Sequence, residues 1–242
     1  MSRSVVVDVL ARDLKYAIRV LRRTPSFTAA AVARRLGWAH LDSGALYRAI
    51  TLGVIDNIGE EGSGKREGWS PQRITALAED LPVRLVLIGA EFRPEVAGVD
   101  AGTAIRSERV TERVSEIAAI PEVRQWVNAR QRRAVTEHPR GVVVDGRDIG
   151  TVVFPEAPLK VFLTATPDER ARRRLSQRGN TVSPSELQRE AAALAARDAA
   201  DSARPVAPLT PARDAVRIDT TGLDPEEQVA RVVALAQQRF PA

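Results

Sequence analysis

The period of the apolar positions changes several times along the chain, and each change marks an element. SVVVDVL at 4–10 is a short apolar run that fits a strand. In 11–23, ARDLKYAIRVLRR, Leu14, Ile18 and Leu21 share one helical face, while Lys15, Arg19, Arg22 and Arg23 lie elsewhere around it. Thr24-Pro25-Ser26 breaks that segment. A helix over about 28–36 stops at Gly37, and another runs from about Gly44 to Asn57. Residues 59–70, GEEGSGKREGWS, form a polar, glycine-rich loop. Ser70-Pro71 opens the next helix, serine as cap and proline in the first turn. Alternating apolar positions and turn glycines over 82–104 predict a small antiparallel sheet. Two helices, 107–119 and 121–137, divide at Pro121. GVVVD at 141–145 and LKVFLTA at 159–165 are continuous apolar runs, suited to parallel strands buried on both faces. A helix opens at Pro167, another spans about 184–203, DAVRIDTT at 214–221 is the last strand and 225–239 the last helix. Strands alternating with helices predict an α/β fold, a parallel sheet flanked by helices.

Composition narrows the chemistry. With 242 residues, the chain suffices for one α/β domain with an insertion or two small domains. It has no cysteine, which removes disulfides, thiolate zinc sites and cysteine nucleophiles together. Only two histidines, His40 and His138, argue against an imidazole metal site. The net charge of +5 is carried by arginine, since only Lys15, Lys65 and Lys160 are lysines. Arginine's planar fork suits phosphate, although a codon bias towards arginine gives the same excess. No apolar run is long enough to span a membrane and no signal peptide is evident, so a cytoplasmic protein is expected.

Five stretches carry candidate chemistry, each with a plainer alternative. In GVVVDGRDIGTVVFP, 141–155, a buried strand ends in Asp145. Active sites of open α/β sheets lie at such strand ends, where an aspartate can hold Mg²⁺ directly or through water. Arg147 is placed to grip a phosphate or base edge, and Asp148 to accept from an exocyclic amine; a turn with an ion pair is the plainer account. In LDSGALYR, 41–48, Ser43 fits a helix cap whose N-terminus receives a polar ligand, with Tyr47 and Arg48 one turn on; a capped helix with a packed tyrosine is the alternative. Arg106, Ser115 and Arg124 either converge on one anion or are solvated helix residues. In DERARRRLSQRG, 168–179, Arg170 and Arg174 share a helical face, offered to a transferring phosphate or simply to water. Arg197, Asp201 and Arg204 repeat at helical spacing and read equally as a surface ladder of charges.

Taken together, LDSGALYRA, the IRS…VSEIAAIPEVR segment, VVVDGRDIGTVVFP, the ERARRR helix and the RD…DS…RPVAPL segment resemble bacterial cytidylate kinase, in the family's order and spacing, over about 31–242. The resemblance implies a nucleoside monophosphate kinase fold of the P-loop kinase type, with a small antiparallel insert within a monophosphate-binding region at 71–140 and a helical lid at 167–204. It implies transfer of a phosphoryl group from ATP, with Mg²⁺, to CMP or dCMP. CMP would be held by Ser43, Arg48, Arg106, Ser115, Arg124, Arg147, Asp148, Arg197, Asp201 and Arg204. Asp145 would serve the metal, and Arg170 and Arg174 the transferring phosphate. Nucleotides are the expected partners of a monomer, with no nucleic acid polymer.

Residues 1–30 depart from the pattern. Such kinases open with a strand and a G-x-x-x-x-G-K-[ST] loop whose backbone N–H groups and lysine hold phosphates. Residues 1–36 contain no glycine, and the lysine position falls near Pro25. Gly59–Arg66, GEEGSGKR, nearly matches the motif, but Arg66 stands at the hydroxyl position and a helix, not a strand, precedes it. RDLKYAIRVLRRTPSFTAAAV resembles instead the cytoplasmic lead-in of bacterial permeases of the macrolide-exporter type. Its basic amphipathic helix is read as solvated rather than lipid-bound. Ser4–Leu10 is the one apolar run available as a substitute for the central strand. The sequence therefore predicts a cytidylate kinase of impaired turnover, with a CMP-binding remnant, or a membrane-associated interaction protein built on the basic N-terminal helix, as the alternatives. It also predicts marginal stability, because a missing central strand leaves buried backbone groups unpaired. Thermal unfolding followed by circular dichroism should show a broad or early transition; a sharp cooperative one above about 50 °C contradicts this.

Overall fold

The computed structural model describes residues 25–59, 69–177, 183–203 and 209–241. The run 4–10, the amphipathic segment 11–23, most of the near-motif at 59–66 and Arg204 lie outside the described residues. The chain forms two compact units: one runs through His40 and resumes from His138 to the C-terminus, and the other is Leu41–Glu137.

In the first unit, helix α1 (Pro25–Leu36) ends at Gly37, whose φ of +67° is the left-handed conformation that stops a helix. Strand β1 (Ala39–Asp42) follows, and the Ala39 N–H donates to the Gly141 carbonyl (3.0 Å) beside β5 (Val142–Asp145). A side chain at Gly141 would collide with the Trp38 ring, so the tight β1–β5 entry requires glycine there. Strands β6 (Val161–Thr164) and β7 (Val216–Asp219) pair in parallel, Val161 opposite Val216 and Leu163 opposite Ile218. Val142, Val143 and Val144 are fully buried, as continuous apolar strands should be. One core joins Val143, Val161, Leu163 and Ile218 to Ala29, Val32 and Ala33 of α1 and to Val229, Val232 and Val233 of α8 (Pro225–Arg239). Among the described residues, no ladder joins β5 to β6, so the strands of this unit stand as two pairs.

Helices α6 (Pro167–Gln177) and α7 (Pro184–Ser202) pack on each other through Ala171, Leu187, Ala191 and Leu194. Ser183 and Asp224 each close a capping box with the glutamate three residues on, Glu186 and Glu227, which fixes the starts of α7 and α8.

The second unit holds α2 (Gly44–Ile58), α3 (Pro71–Asp80), β2 (Val83–Ile88), β3 (Glu91–Val96), β4 (Val99–Asp100), a 3₁₀ turn (Ala104–Arg106), α4 (Glu108–Ile117) and α5 (Pro121–Glu137). Strands β2, β3 and β4 form the expected antiparallel meander, with Val83 opposite Val96 and Ile88 opposite Glu91. Ser70 caps α3 by accepting from the Arg73 N–H. The core comes from α2 (Leu46, Ile50, Val54), Ile74, Ile105, Ile117 and Val127.

The α/β class, the antiparallel insert and the helices at 71, 121, 167, 184 and 225 match the sequence reading. Strand β1 was not anticipated: it has four residues, two of them the polar His40 and Asp42, and no alternation to reveal it. Among the described residues no helix is long and apolar enough to cross a membrane.

Near β6, buried Lys160 donates to Asp214 (2.6 Å) and to the Pro155 carbonyl. The bond from Lys160 holds the Asp214 carboxyl below the usual carboxylate range. A depressed carboxyl contributes stability above its unfolded value, near pH 4 for aspartate, and loses it as pH falls through the folded one. Asp214→Asn should therefore lower the melting temperature at pH 7 and flatten the loss of stability below about pH 4, read by thermal melts across pH.

Candidate active site

At the carboxyl end of β5 the chain turns sharply. Asp145 is buried, and its Oδ1 lies 2.7 Å from His40 Nε2, the bond joining the end of β5 to its neighbour β1. Gly146 and Arg147 follow. The Asp148 carbonyl then accepts from the N–H groups of Thr151, Val152 and Val153, at 3.3, 2.8 and 3.3 Å. This closes a wide π-type turn, Ile149–Val153, completed by Phe154 N–H to the Ile149 carbonyl (2.7 Å). Such single π turns recur at functional sites. The sequence thus places Asp145, Arg147 and Asp148 in one loop at a strand end, as expected, while His40 carried no sequence signal.

In the second unit, the start of α2 differs from expectation at Ser43. Ser43 sits at the cap position but in helical geometry (φ −64°, ψ −23°), and its side chain makes no capping bond. Asp42 takes that part: its Oδ1 accepts from the Gly44 N–H at 2.9 Å. A Cβ on residue 44 would sit 3.1 Å from the same oxygen, so glycine lets the carboxylate close in. Asp42 also meets Arg106 at 3.6 Å. Arg48, one turn into α2, donates to the Ile105 carbonyl (3.2 Å) and to Thr111 Oγ1 (2.9 Å). Burial lowers the pKa of its guanidinium, Asp42 raises it and Arg106 adds to the lowering. Arg124, buried on α5, donates to the Ala118 carbonyl (2.9 Å) and lies 5.7 Å from the centre of the Tyr47 ring. Ser115 is exposed on α4. Two arginines, Arg48 and Arg106, thus gather with Asp42 at the first turn of a fifteen-residue helix, where N–H groups and the helix dipole favour an anion.

Arg170 and Arg174 lie on α6 as predicted, but each is engaged by α7. Arg170 is buried and donates to Asp198 at 2.6 Å, leaving its Nε and Nη2 buried without partners among the described residues. Arg174 pairs with Glu190. Arg173, not singled out by the sequence, anchors the base of α6 to the chain after β7: it donates to Thr220 Oγ1, to the Thr220 carbonyl (2.6 Å) and to the Leu223 carbonyl. Arg197 and Asp201 fall on α7.

Among the described residues, Arg48 and Arg106 at the start of α2 suit an anion. For Mg²⁺ the described residues offer the Asp145 carboxylate, already bonded to His40, and no group of three or more His, Asp or Glu placed to hold an ion. For ATP phosphates, α1 begins at Pro25, a residue without an N–H, where the lysine of a phosphate loop is expected. The described residues do not fit the ion unaided.

A family model for cytidylate kinase matches residues 25–238, beginning where α1 begins. The cytidylate kinase of Streptomyces griseus is 42% identical over 212 residues, 88% of this chain and 87% of the relative. The cytidylate kinase of Pseudomonas savastanoi pv. phaseolicola is 42% identical over 210 residues, 84% of this chain and 86% of the relative. The crystal structure of TT1252 from Thermus thermophilus aligns over 94% of this chain and 99% of its own, with 16% identity and a TM-score of 0.44. The family match and these relatives make the α/β chain a phosphotransferase. The chain belongs to the cytidylate kinase family.

Removing Asp198 would strand the buried Arg170 charge, a loss of about 3–5 kcal/mol for a buried pair. Asp198→Ala should accelerate amide hydrogen exchange across 167–202, and exchange unchanged from the parent protein would show that the pair does not hold α6 to α7.

Proposed function

We propose that the chain transfers a phosphoryl group from ATP to CMP or dCMP, giving ADP and CDP or dCDP, far more slowly than an ordinary kinase. A monophosphate oxygen attacks the γ-phosphorus; the bond from that phosphorus to the β-phosphate bridging oxygen breaks, and ADP departs. The observation that carries the reading is the contrast between the two ends of the reaction. The start of α2 gathers Arg48 and Arg106 beside Asp42 and Ser43, while α1 starts at Pro25 with no glycine before it.

In this reading Ser43, Arg48, Arg106, Ser115, Arg124, Arg147, Asp148, Arg197, Asp201 and Arg204 bind the acceptor. Arg170 and Arg174 reach the transferring phosphate only by leaving Asp198 and Glu190. Asp145 serves an ion that arrives with ATP. We place the reaction in the cytoplasm, in a monomer whose partners are nucleotides alone. Binding of CMP without turnover is the second reading, motivated by the same contrast.

Protein kinases and related enzymes turn over at about 1–100 s⁻¹, and losing one preorganised donor costs about 10²–10³ in rate. A coupled ADP-release assay with ATP, Mg²⁺ and CMP should give turnover at least about 10²-fold below that range, alongside measurable CMP binding by calorimetry. Turnover in the ordinary range overturns the impairment; absence of CMP binding overturns the acceptor assignment.

A further inference from the structure

Gln131 lies in the middle of α5, is almost wholly buried, and reaches across 88 residues of sequence to donate from Nε2 to the Ser43 carbonyl at 2.8 Å. Both residues belong to the second unit. Ser43 is itself buried, in helical geometry, with a hydroxyl not used to cap α2. An ordinary cap residue is extended and commits its side chain to the helix. Here Asp42 takes the Gly44 N–H, and Gln131 takes the Ser43 carbonyl. The backbone of Ser43 is therefore pinned from both sides.

A second observation marks the same place. Gln131 Oε1 is buried without a partner among the described residues. It shares a carbon with Nε2, so it lies beside Ser43 as well. One turn earlier on the same face of α5, Asn128 Oδ1 is likewise buried and unpartnered. Buried acceptors left empty cost stability, and apolar side chains of similar size would avoid that cost. An amide whose one bond among the described residues fixes Ser43, kept despite an acceptor left empty, is arranged to hold that residue.

We infer that Gln131 is a positioning residue for the acceptor site: its amide fixes the Ser43 backbone so that the Ser43 hydroxyl is released to the bound nucleotide. The inference rests on the acceptor reading given above. It makes the affinity for CMP depend on Gln131 only through Ser43.

A double-mutant cycle tests this in the full chain, with CMP titrated by calorimetry and stability followed in urea. Gln131→Met keeps the volume and removes the donor; Ser43→Ala removes the hydroxyl. Each should weaken CMP binding about tenfold, and the double variant by about tenfold rather than about a hundredfold. Gln131→Leu, which also lacks the donor, replaces Met if that variant does not fold and should show the same loss. CMP affinity unchanged in the Gln131 variants, or losses that multiply in the double variant, overturns the inference. So does an unchanged affinity in Ser43→Ala, with the acceptor reading then left standing on CMP binding by the parent protein. A parent protein that binds no CMP overturns both.

Discussion

A carboxylate at the end of a fully buried strand has to be satisfied from inside the protein, and the bond from His40 to Asp145 does this. The rest of the loop depends on it. With Asp145 held, the chain can turn immediately through Gly146 and Arg147 and spend the Asp148 carbonyl on three successive N–H groups. The bond also ties β1 to β5. Asp42 and Ser43 follow His40 in the chain by two and three residues, so one short strand carries both a structural histidine and the start of α2.

A phosphate loop and the helix that follows it share two tasks, packing and phosphate binding. The helix α1 is retained as packing: Ala29, Val32 and Ala33 fill the core between β5, β6 and α8. The loop's chemistry is what the sequence lacks. Small apolar residues at helical spacing are enough to hold α1 in place, because burial needs only shape and hydrophobicity. Cradling a polyphosphate requires N–H groups in a particular backbone conformation, which proline and bulky residues do not supply. The family match over 25–238 begins with this helix.

Much of this was legible in the sequence because it rests on local rules. Ser70-Pro71 names its own helix start, and GVVVD suits a strand buried on both faces. The resemblance names Arg48 and Arg106 together, although no spacing rule links residues 58 apart. What escaped was set by tertiary contact. His40 and Asp145 are 105 residues apart, and Gln131 and Ser43 are 88. Asp42 displacing Ser43 as the cap had a weak signal, an Asx residue two before a glycine, which serine at the more familiar cap position outweighed. The partners of Arg170 and Arg174 lie on a different helix, out of reach of any periodicity.

The close approach of Gly141 to Trp38 has an optical consequence. The chain holds three tryptophans, and Trp38 is the one in the first unit, its indole lying against Gly141 and 5.6 Å from the Phe240 ring. Trp69 and Trp126 sit in the second unit, stacked by the guanidinium groups of Arg113 and Arg130. Each unit thus carries its own intrinsic fluorophores in distinct surroundings, one lodged against bare backbone and two against cations. Emission from a chain keeping only Trp38 reports on the β1–β5 junction alone, and emission from the other pair reports on the second unit without any added label.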